Sequence, residues 1–141
     1  MERAMKYVCL VYGEEDRIAA MDDHECLAYD AGLRDSGRCV ASEALEPVAT
    51  ATSVRVRNGR LSVSDGPFAE TKEQLAGFCL IEARDLNEAI QLAAKIPPAR
   101  VGCVEVRPMR PLRTPGARVR PTPAPASLRA SSGTRGRNPR E

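Results

Sequence analysis

The order of predicted elements indicates an α+β protein with a ferredoxin-like fold. Two strand–helix–strand segments, residues 5–45 and 77–107, flank an insert that contains a hairpin. Two such halves predict one antiparallel sheet with both helices on the same face. The first and the later strands are apolar on both alternating faces, so both faces of the sheet need a cover.

The first half supplies a strand, two helical segments and a second strand, over residues 5–12, 14–21, 22–36 and 38–45. The longer helix has three apolar residues on one stripe: Cys26, Tyr29 and Leu33. Gly37 is its predicted C-terminal stop, because glycine is common directly after a helix.

The insert contains the clearest hairpin of the chain. Two alternating runs, residues 53–57 and 60–64, are joined by Asn58-Gly59, the preferred pair for a two-residue type I′ turn. Four aliphatic residues share one of its faces: Val54, Val56, Leu61 and Val63.

The second half begins with a strand over residues 77–83. Asp85 and Glu88 have the spacing of a capping box, which predicts a helix that Pro97-Pro98 ends. Residues 101–107 are the last predicted strand.

The formal charge of +2 conceals a division within the 141 residues. From Arg107 onward there are nine arginines and one acid, which leaves 12 basic and 18 acidic residues before it. The tail, residues 110–141, is rich in Arg, Pro, Ala and Ser and is predicted to be disordered. An arginine tail could bind nucleic acid weakly, but it has no aromatic residue for base stacking.

Composition and motifs exclude several other classes. No run approaches the roughly 20 apolar residues of a membrane span, and no export signal precedes the first strand, so we expect a cytoplasmic protein of bacterial type. The five cysteines lack Cys-x-x-Cys spacing, and the chain has one histidine, so we expect buried structural thiols and no metal site. No nucleotide or flavin motif is present, so no cofactor is predicted.

The segment Asp65-Gly66-Pro67-Phe68 resembles the DGPF group of the YCII-related family. Further resemblance lies in residues 6–13, 42–45, 49–56, 77–82 and 104–108. The resemblance to this family assigns a domain to residues 1–109. It implies a dimeric α+β barrel, in which two ferredoxin-like protomers bring their sheets face to face. The doubly apolar strands favour the same homodimer, because a second sheet is the simplest cover for the open face.

The turn after the hairpin is the predicted site, in a cleft between the helices, the sheet and the insert. Gly66 and Pro67 force a sharp turn, and Thr71 with Gln74 fits a capping box that predicts a helical turn over residues 72–75. A carboxylate beside an ammonium can be tuned for proton transfer. The candidate catalytic residues are Asp65, Glu70, Lys72, His24 and Glu43, and the candidate substrate-binding residues are Gly66, Pro67, Phe68 and Tyr12.

Each of these assignments has a structural alternative. Asp65 to Phe68 can be a corner whose ring plugs the core, and Glu70 and Lys72 can be a solvated helix start. His24 is flanked by acids, as a surface histidine would be. In the resemblance, Cys26 stands where smaller relatives have a histidine, and Cys79 stands where many have a tyrosine.

Two functions remain open at this level. One is a cofactor-free enzyme that acts by proton transfer on a small molecule, as an isomerase, lyase or monooxygenase-like protein. The other is a non-catalytic ligand-binding or regulatory module that partners an extracytoplasmic-type sigma factor, which the resemblance suggests. An enclosed cavity with converging polar groups favours the first.

Overall fold

The computed structural model describes residues 4–113. The chain separates into two units, Met1–Arg110 and Pro111–Glu141, and the first contains every helix and strand given below. The disorder predicted for residues 110–141 falls almost entirely outside the described residues and stays a prediction.

Six strands and three helices follow the predicted order. They are β1 (Met5–Gly13), α1 (Glu15–Ala19), α2 (Asp23–Asp35), β2 (Cys39–Ala44), β3 (Thr52–Arg57), β4 (Arg60–Asp65), β5 (Gln74–Ala83), α3 (Leu86–Ala94) and β6 (Cys103–Pro108). Short 3-10 turns cover Val48–Thr50 and Pro97–Arg100. No helix among residues 4–113 is long and apolar enough to cross a membrane.

The main sheet has the strand order β2-β5-β1-β6, and all of its neighbouring pairs are antiparallel. β3 and β4 form a separate two-stranded sheet. This order confirms the predicted ferredoxin-like α+β class, with the hairpin as an insert between β2 and β5.

Local capping sets the helix starts that the sequence predicted. The Asp22 side chain accepts a hydrogen bond from the His24 backbone N–H at 3.0 Å, and Asp85 accepts one from Glu88 at 2.9 Å. These bonds satisfy backbone donors that the first helical turn leaves without an intrahelical partner. Helix α2 ends one residue before Ser36, next to the predicted stop at Gly37.

The core lies between the sheet and the helices. Alternate residues of β1 and β5 are buried on this side, and helical residues pack against them: Tyr7, Cys9, Val11, Cys79, Ile81, Ala83, Leu33, Ala89 and Ala93. The Tyr29 hydroxyl donates a hydrogen bond to the Leu92 carbonyl oxygen at 2.6 Å, which ties α2 to α3. The opposite face of the sheet, which we call the open face, carries Val8, Leu10, Phe78 and Leu80, all only partly buried in the protomer.

The hairpin matches its prediction in register and in turn type. Asn58 and Gly59 both have positive φ, at 54° and 75°, which is the backbone of a type I′ turn. Val54 pairs with Val63 and Val56 with Leu61, so the aliphatic face forms as predicted. All four of these side chains are exposed in the protomer.

The helical turn predicted over residues 72–75 does not form. Gln74 is the first residue of β5 and pairs with Gly13 of β1. Its side-chain amide donates to the Thr71 and Ala69 carbonyl oxygens at 2.9 and 3.2 Å, while the Thr71 hydroxyl donates to the Glu73 carbonyl oxygen at 2.7 Å. Pairing with β1 satisfies the backbone here, and it overrides the local capping signal.

The cysteines divide by their place in the sheet. Cys9 and Cys79 are buried opposite each other, and burial raises the pKa of Cys9 to about 11 and of Cys79 to about 12. Such thiols remain protonated and unreactive near neutral pH. Burial was wrongly predicted for Cys103, because this residue lies opposite Tyr12 at the exposed edge strand β6.

Glu88 gives the fold a pH dependence in acid. Its carboxylate accepts from the Arg38 guanidinium at 2.6 Å and from the Arg84 backbone N–H at 2.7 Å, and these contacts lower its pKa from 4.5 to about 2. A carboxyl with a depressed native pKa stabilises the fold above its unfolded pKa, and this contribution is lost as pH falls through the native pKa.

We therefore expect Glu88→Gln to lower the thermal midpoint at pH 7 and to have progressively less effect as pH falls from 4.5 to about 2. Thermal unfolding followed by circular dichroism at each pH measures this, with exposed Glu46→Gln as the control. The lowered pKa of Glu88 would be contradicted if Glu88→Gln reduced the thermal midpoint by the same amount at pH 7 and near pH 2.

Candidate functional site

A cavity of about 520 Å³ lies between α1, α2 and one end of the main sheet. Ile18 and Met21 border it on the α1 side, and the turn that contains Pro97 and Pro98 closes it beyond α3. The volume falls within the roughly 300–1,000 Å³ typical of small-molecule pockets.

One stripe of α2 forms a wall of this cavity. Asp23, Cys26, Leu27 and Asp30 line it, at the i, i+3, i+4 and i+7 spacing that places residues on one helix face. Arg34 binds the Asp30 Oδ2 atom through its Nε at 3.0 Å and so holds this carboxylate in one orientation. Burial, followed by the charges of Asp23 and Glu25, raises the Cys26 pKa.

The floor of the cavity comes from three strands. Val11 belongs to β1, Cys79 to β5, and Ser42, which lies opposite Cys79 in the register, to β2. Gly77 allows β2 to approach β5 here, because a Cβ on it would lie 2.8 Å from the Glu43 carbonyl oxygen. A larger residue at position 77 would push the edge strand away from the floor.

The lining is apolar apart from acidic residues and a few small polar groups. Asp23 and Asp30 of α2 are its charged members on the helix side. Glu43 also borders the cavity, but alternation along β2 places its side chain on the open face. No Lys, Arg or His belongs to the lining within residues 4–113. Such a cavity attracts cations and hydrogen-bond donors and repels anions.

The predicted turn lies against the base of the hairpin. Gly66 has φ +107°, its N–H donates to the Ala51 carbonyl oxygen at 2.8 Å, and its own carbonyl oxygen accepts from the Ser53 hydroxyl at 2.8 Å. This positive φ is a conformation that glycine adopts without strain. Asp65, directly before it, is the exposed last residue of β4.

Phe68 does not plug the core, contrary to one alternative from the sequence. Its side chain is 85% exposed, and the Arg55 guanidinium carbon lies 5.9 Å from the ring centroid. A cation–π contact of this kind contributes about 0.5–1 kcal/mol at an exposed site. The ring is therefore presented to the outside on the arginine side of the hairpin.

The other predicted residues are distributed around the same end of the sheet. Lys72 is exposed, with its Nζ 3.6 Å from the Glu14 Oε2 atom, and Glu70 lies beside Gly66. His24 is exposed in the first turn of α2, and Tyr12 is half-buried near the end of β1.

Of the nine predicted site residues, Glu43 alone lines the cavity in the protomer. The register of β2 pairs it with Phe78, so alternation places its side chain on the open face, whereas Ser42 lies on the helix face. The structure thus brings the turn residues Asp65 to Lys72 together near the hairpin base, apart from the cavity lining.

The acidic residues of α2 that line the cavity were not predicted from the sequence. Asp23 and Asp30 flank Leu27 at helical spacing, on the stripe beside Cys26, Tyr29 and Leu33. That periodicity was a usable signal, because residues at i, i+4 and i+7 lie on one face of a helix.

Comparison with known proteins assigns the chain to a family. The model of the YCII-related domain matches residues 5–113. An uncharacterised protein of Rhizobium meliloti (strain 1021) is similar, at 36% identity over 114 residues, which is 74% of this chain and 92% of the relative. The family model spans the sheet, the helices and the hairpin insert, and the chain therefore belongs to the YCII-related domain family.

Proposed function

We propose that this protein binds a small, largely apolar molecule with a cationic or hydrogen-bond-donating group in the cavity under α2, and moves a proton on it. The cavity carries the proposal, because it combines a volume of about 520 Å³ and apolar walls with the acidic residues Asp23 and Asp30, and with no Lys, Arg or His in its lining among residues 4–113. A donor group on the ligand would match this polarity, whereas a carboxylate or phosphate would be repelled.

Asp30 is the residue of the cavity best placed to engage such a group. Arg34 holds its Oδ2 atom at 3.0 Å, and the Cys39 thiol makes a long contact of 3.9 Å to its Oδ1 atom, so the carboxylate is oriented from both sides. An oriented carboxylate can accept a proton from a bound amine or from a carbon beside a carbonyl group. The chemistry favoured by this site is therefore proton transfer of the isomerase or lyase kind.

The turn residues complete the proposal as a second element. Asp65, Glu70 and Lys72 lie where β4 leads to β5, and β5 continues into Ala76 and Gly77 of the cavity lining. We propose, as a separate candidate outside the cavity lining, that the ammonium of Lys72 holds an anionic oxygen of a molecule bound at the turn while a carboxylate of the turn moves the proton. His24, Glu43 and Tyr12 remain weaker candidates for the same chemistry.

A homodimer is the proposed working form. Val8, Leu10, Phe78 and Leu80 leave an apolar strip on the open face, and an identical sheet is its simplest cover. Closing this face would also place Glu43 and Tyr12 at a protein–protein boundary.

Binding can be tested with a matched set of probes, namely benzylamine, benzyl alcohol and benzoate, by isothermal titration calorimetry. We expect benzylamine to bind at least about tenfold tighter than benzoate, a difference of about 1.4 kcal/mol. Ser42→Phe, which fills the floor, should abolish binding of all three probes. Asp30→Asn should weaken benzylamine alone by about fivefold, near the 1 kcal/mol of a partly exposed charge pair.

Asp35→Asn is the matched control, since Asp35 ends the same helix and does not line the cavity. Unchanged binding in Ser42→Phe would place the probes elsewhere and refute the cavity as the site. Equal affinity for benzylamine and benzoate would refute the acidic selectivity.

Proton transfer can be followed without a known substrate. A panel of enolisable amino compounds is incubated with the protein in D₂O, and the loss of C–H signals is recorded by NMR. We expect Asp65→Asn and Lys72→Met to abolish any exchange that the wild type catalyses, with folding unchanged. If both variants exchanged hydrogen for deuterium at the wild-type rate, the turn residues would have no part in the proton transfer.

A further inference from the structure

The hairpin formed by β3 and β4 carries its positive charge on one face. The register places Arg57 directly opposite Arg60, and alternation along β3 returns Arg55 to the same side. All three side chains are exposed. We call this surface the arginine face, and it lies opposite the aliphatic face of the hairpin.

The arginine face has no acidic partner of its own. None of its three arginines forms a salt bridge within residues 4–113. Arg57 donates to the Val56 carbonyl oxygen at 3.3 Å, which is a neutral group. Asp65, the acid of the hairpin, falls on the aliphatic face, and the other positions of the arginine face are serines: Ser53, Ser62 and Ser64. The face therefore presents three positive charges to solvent and no negative one.

This concentration of charge costs the hairpin stability. Like charges directly opposite each other on two paired strands are destabilising, and Arg57 and Arg60 form such a pair on either side of the Asn58-Gly59 turn. A two-stranded hairpin is only marginally stable in water. An anion across the arginine face would relieve this repulsion, which adds a favourable contribution to its binding.

An aromatic ring lies beside these charges. The Arg55 guanidinium carbon is 5.9 Å from the centroid of the Phe68 ring, so it covers one side of the ring. Because Phe68 is 85% exposed, the other side is open to solvent. Exposed aromatic rings next to cationic side chains bind single-stranded nucleic acids, because the cations contact phosphates while a base stacks on the ring.

We infer that the arginine face and Phe68 together bind single-stranded nucleic acid. The three guanidinium groups contact backbone phosphates, and one base stacks on the open side of Phe68. These contacts reach the phosphates and the flat side of a base, and none reads a base edge, so binding has little sequence preference.

The shape of the surface favours a single strand over other anions. The arginine face is an open ribbon, and the cavity under α2 has no lining residue from the hairpin, so nothing here encloses a small anion. A polymer with repeated charges can contact all three arginines at once. An acidic peptide has no base to stack on Phe68, and a duplex keeps its bases within the helix.

The test measures binding of a fluorescently labelled oligothymidylate of about 12 nucleotides by anisotropy, on the full chain. One variant removes the charges of the arginine face: Arg55→Gln, Arg57→Gln and Arg60→Gln. The matched control removes the same charge from the arginine tail: Arg135→Gln, Arg137→Gln and Arg140→Gln. We expect the hairpin variant to weaken binding at least about tenfold and the control less than about threefold, in about 50 mM NaCl. The hairpin variant should keep the wild-type thermal midpoint, because it relieves a repulsion.

Salt dependence counts the phosphates that the arginine face contacts. The logarithm of the affinity for a single strand falls with the logarithm of the salt concentration, with a slope of about −0.7 for each phosphate contacted. Titrations between about 50 and 200 mM NaCl should therefore give a slope that is shallower by about 2 in the hairpin variant.

Phe68→Ala tests the stacked base separately from the charges. We expect it to weaken binding at least about fivefold with the salt slope unchanged, whereas Phe68→Trp should bind at least as tightly as the wild type. The same strand annealed to its complement should bind at least about fivefold more weakly than the single strand.

A wild-type protein that does not bind the oligothymidylate would overturn this inference. A control variant that loses as much affinity as the hairpin variant would also overturn it, because the tail would then be the binding segment. Unchanged affinity in Phe68→Ala, or equal affinity for the duplex or for polyglutamate, would overturn the stacked base and with it the choice of a single strand. None of these results bears on the cavity under α2 or on the proposed homodimer.

Discussion

Gly102→Ala is expected to destabilise the protein by about 3 kcal/mol or more, the upper part of the range for overpacking a closed site. A Cβ at position 102 would collide with the Tyr12 carbonyl oxygen and would lie 3.0 Å from the Gly13 Cα atom. These are backbone atoms of β1, and they cannot turn aside as a flexible side chain could. The substitution would force β1 away from the start of β6.

Urea denaturation of Gly102→Ala, followed by circular dichroism, measures this loss. Gly32→Ala is the matched control, because Gly32 lies in α2 and a Cβ there would meet no atom within 4 Å. Alanine in place of glycine in a helix should stabilise the protein by about 0.5–1 kcal/mol. Equal effects of the two substitutions would show that β1 and β6 are not packed as described.

Ile81→Ala is the second substitution with a large expected effect. Ile81 is 1% exposed at the centre of β5, opposite Tyr7 of β1 and Cys39 of β2. Removing a fully buried aliphatic side chain costs about 2–5 kcal/mol, because burial is lost and a cavity remains. We expect a loss in this range in the same denaturation experiment.

Ile90→Ala provides the comparison for Ile81→Ala, since Ile90 is 47% exposed on α3. Its cost should be about 1 kcal/mol or less, as for most partly exposed positions. An Ile81→Ala variant no less stable than Ile90→Ala would contradict the placement of the core between the sheet and the helices.

The elements predicted most accurately were those with a local physical cause. Asp85 was predicted to start a helix from its capping-box spacing, and it accepts a hydrogen bond from the backbone N–H of Glu88 three positions further on, so this signal is complete within a few residues. Asn58-Gly59 sets the hairpin for the same reason, because its positive φ values determine the turn and the register together.

The helical turn predicted over residues 72–75 was wrong, because a segment distant in sequence pairs with these residues as a strand. Thr71 and Gln74 have capping-box spacing, but β1 lies alongside and pairs with Gln74. A local signal contributes about 1 kcal/mol. Strand pairing with a buried neighbour outweighs it, and nothing in residues 65–75 indicates that such a neighbour is present.

Part of the function also stays at the level of prediction. The partnership with a sigma factor, the cytoplasmic location and any weak binding of nucleic acid by the arginine tail follow from the sequence and its resemblance. The cavity and the acidic residues of α2 give no direct support to these roles.

The sequence by itself determined the α+β class, the element order, the hairpin turn and the family, because each depends on periodicity or on contacts between near neighbours. Only the tertiary structure decided where the cavity lies and which residues line it. Asp23, Asp30 and Ser42 come from a helix and an edge strand that meet through long-range packing, and the predicted turn follows the hairpin instead. Enclosure is a property of surfaces that the folded chain brings together, so no short segment of sequence can encode it.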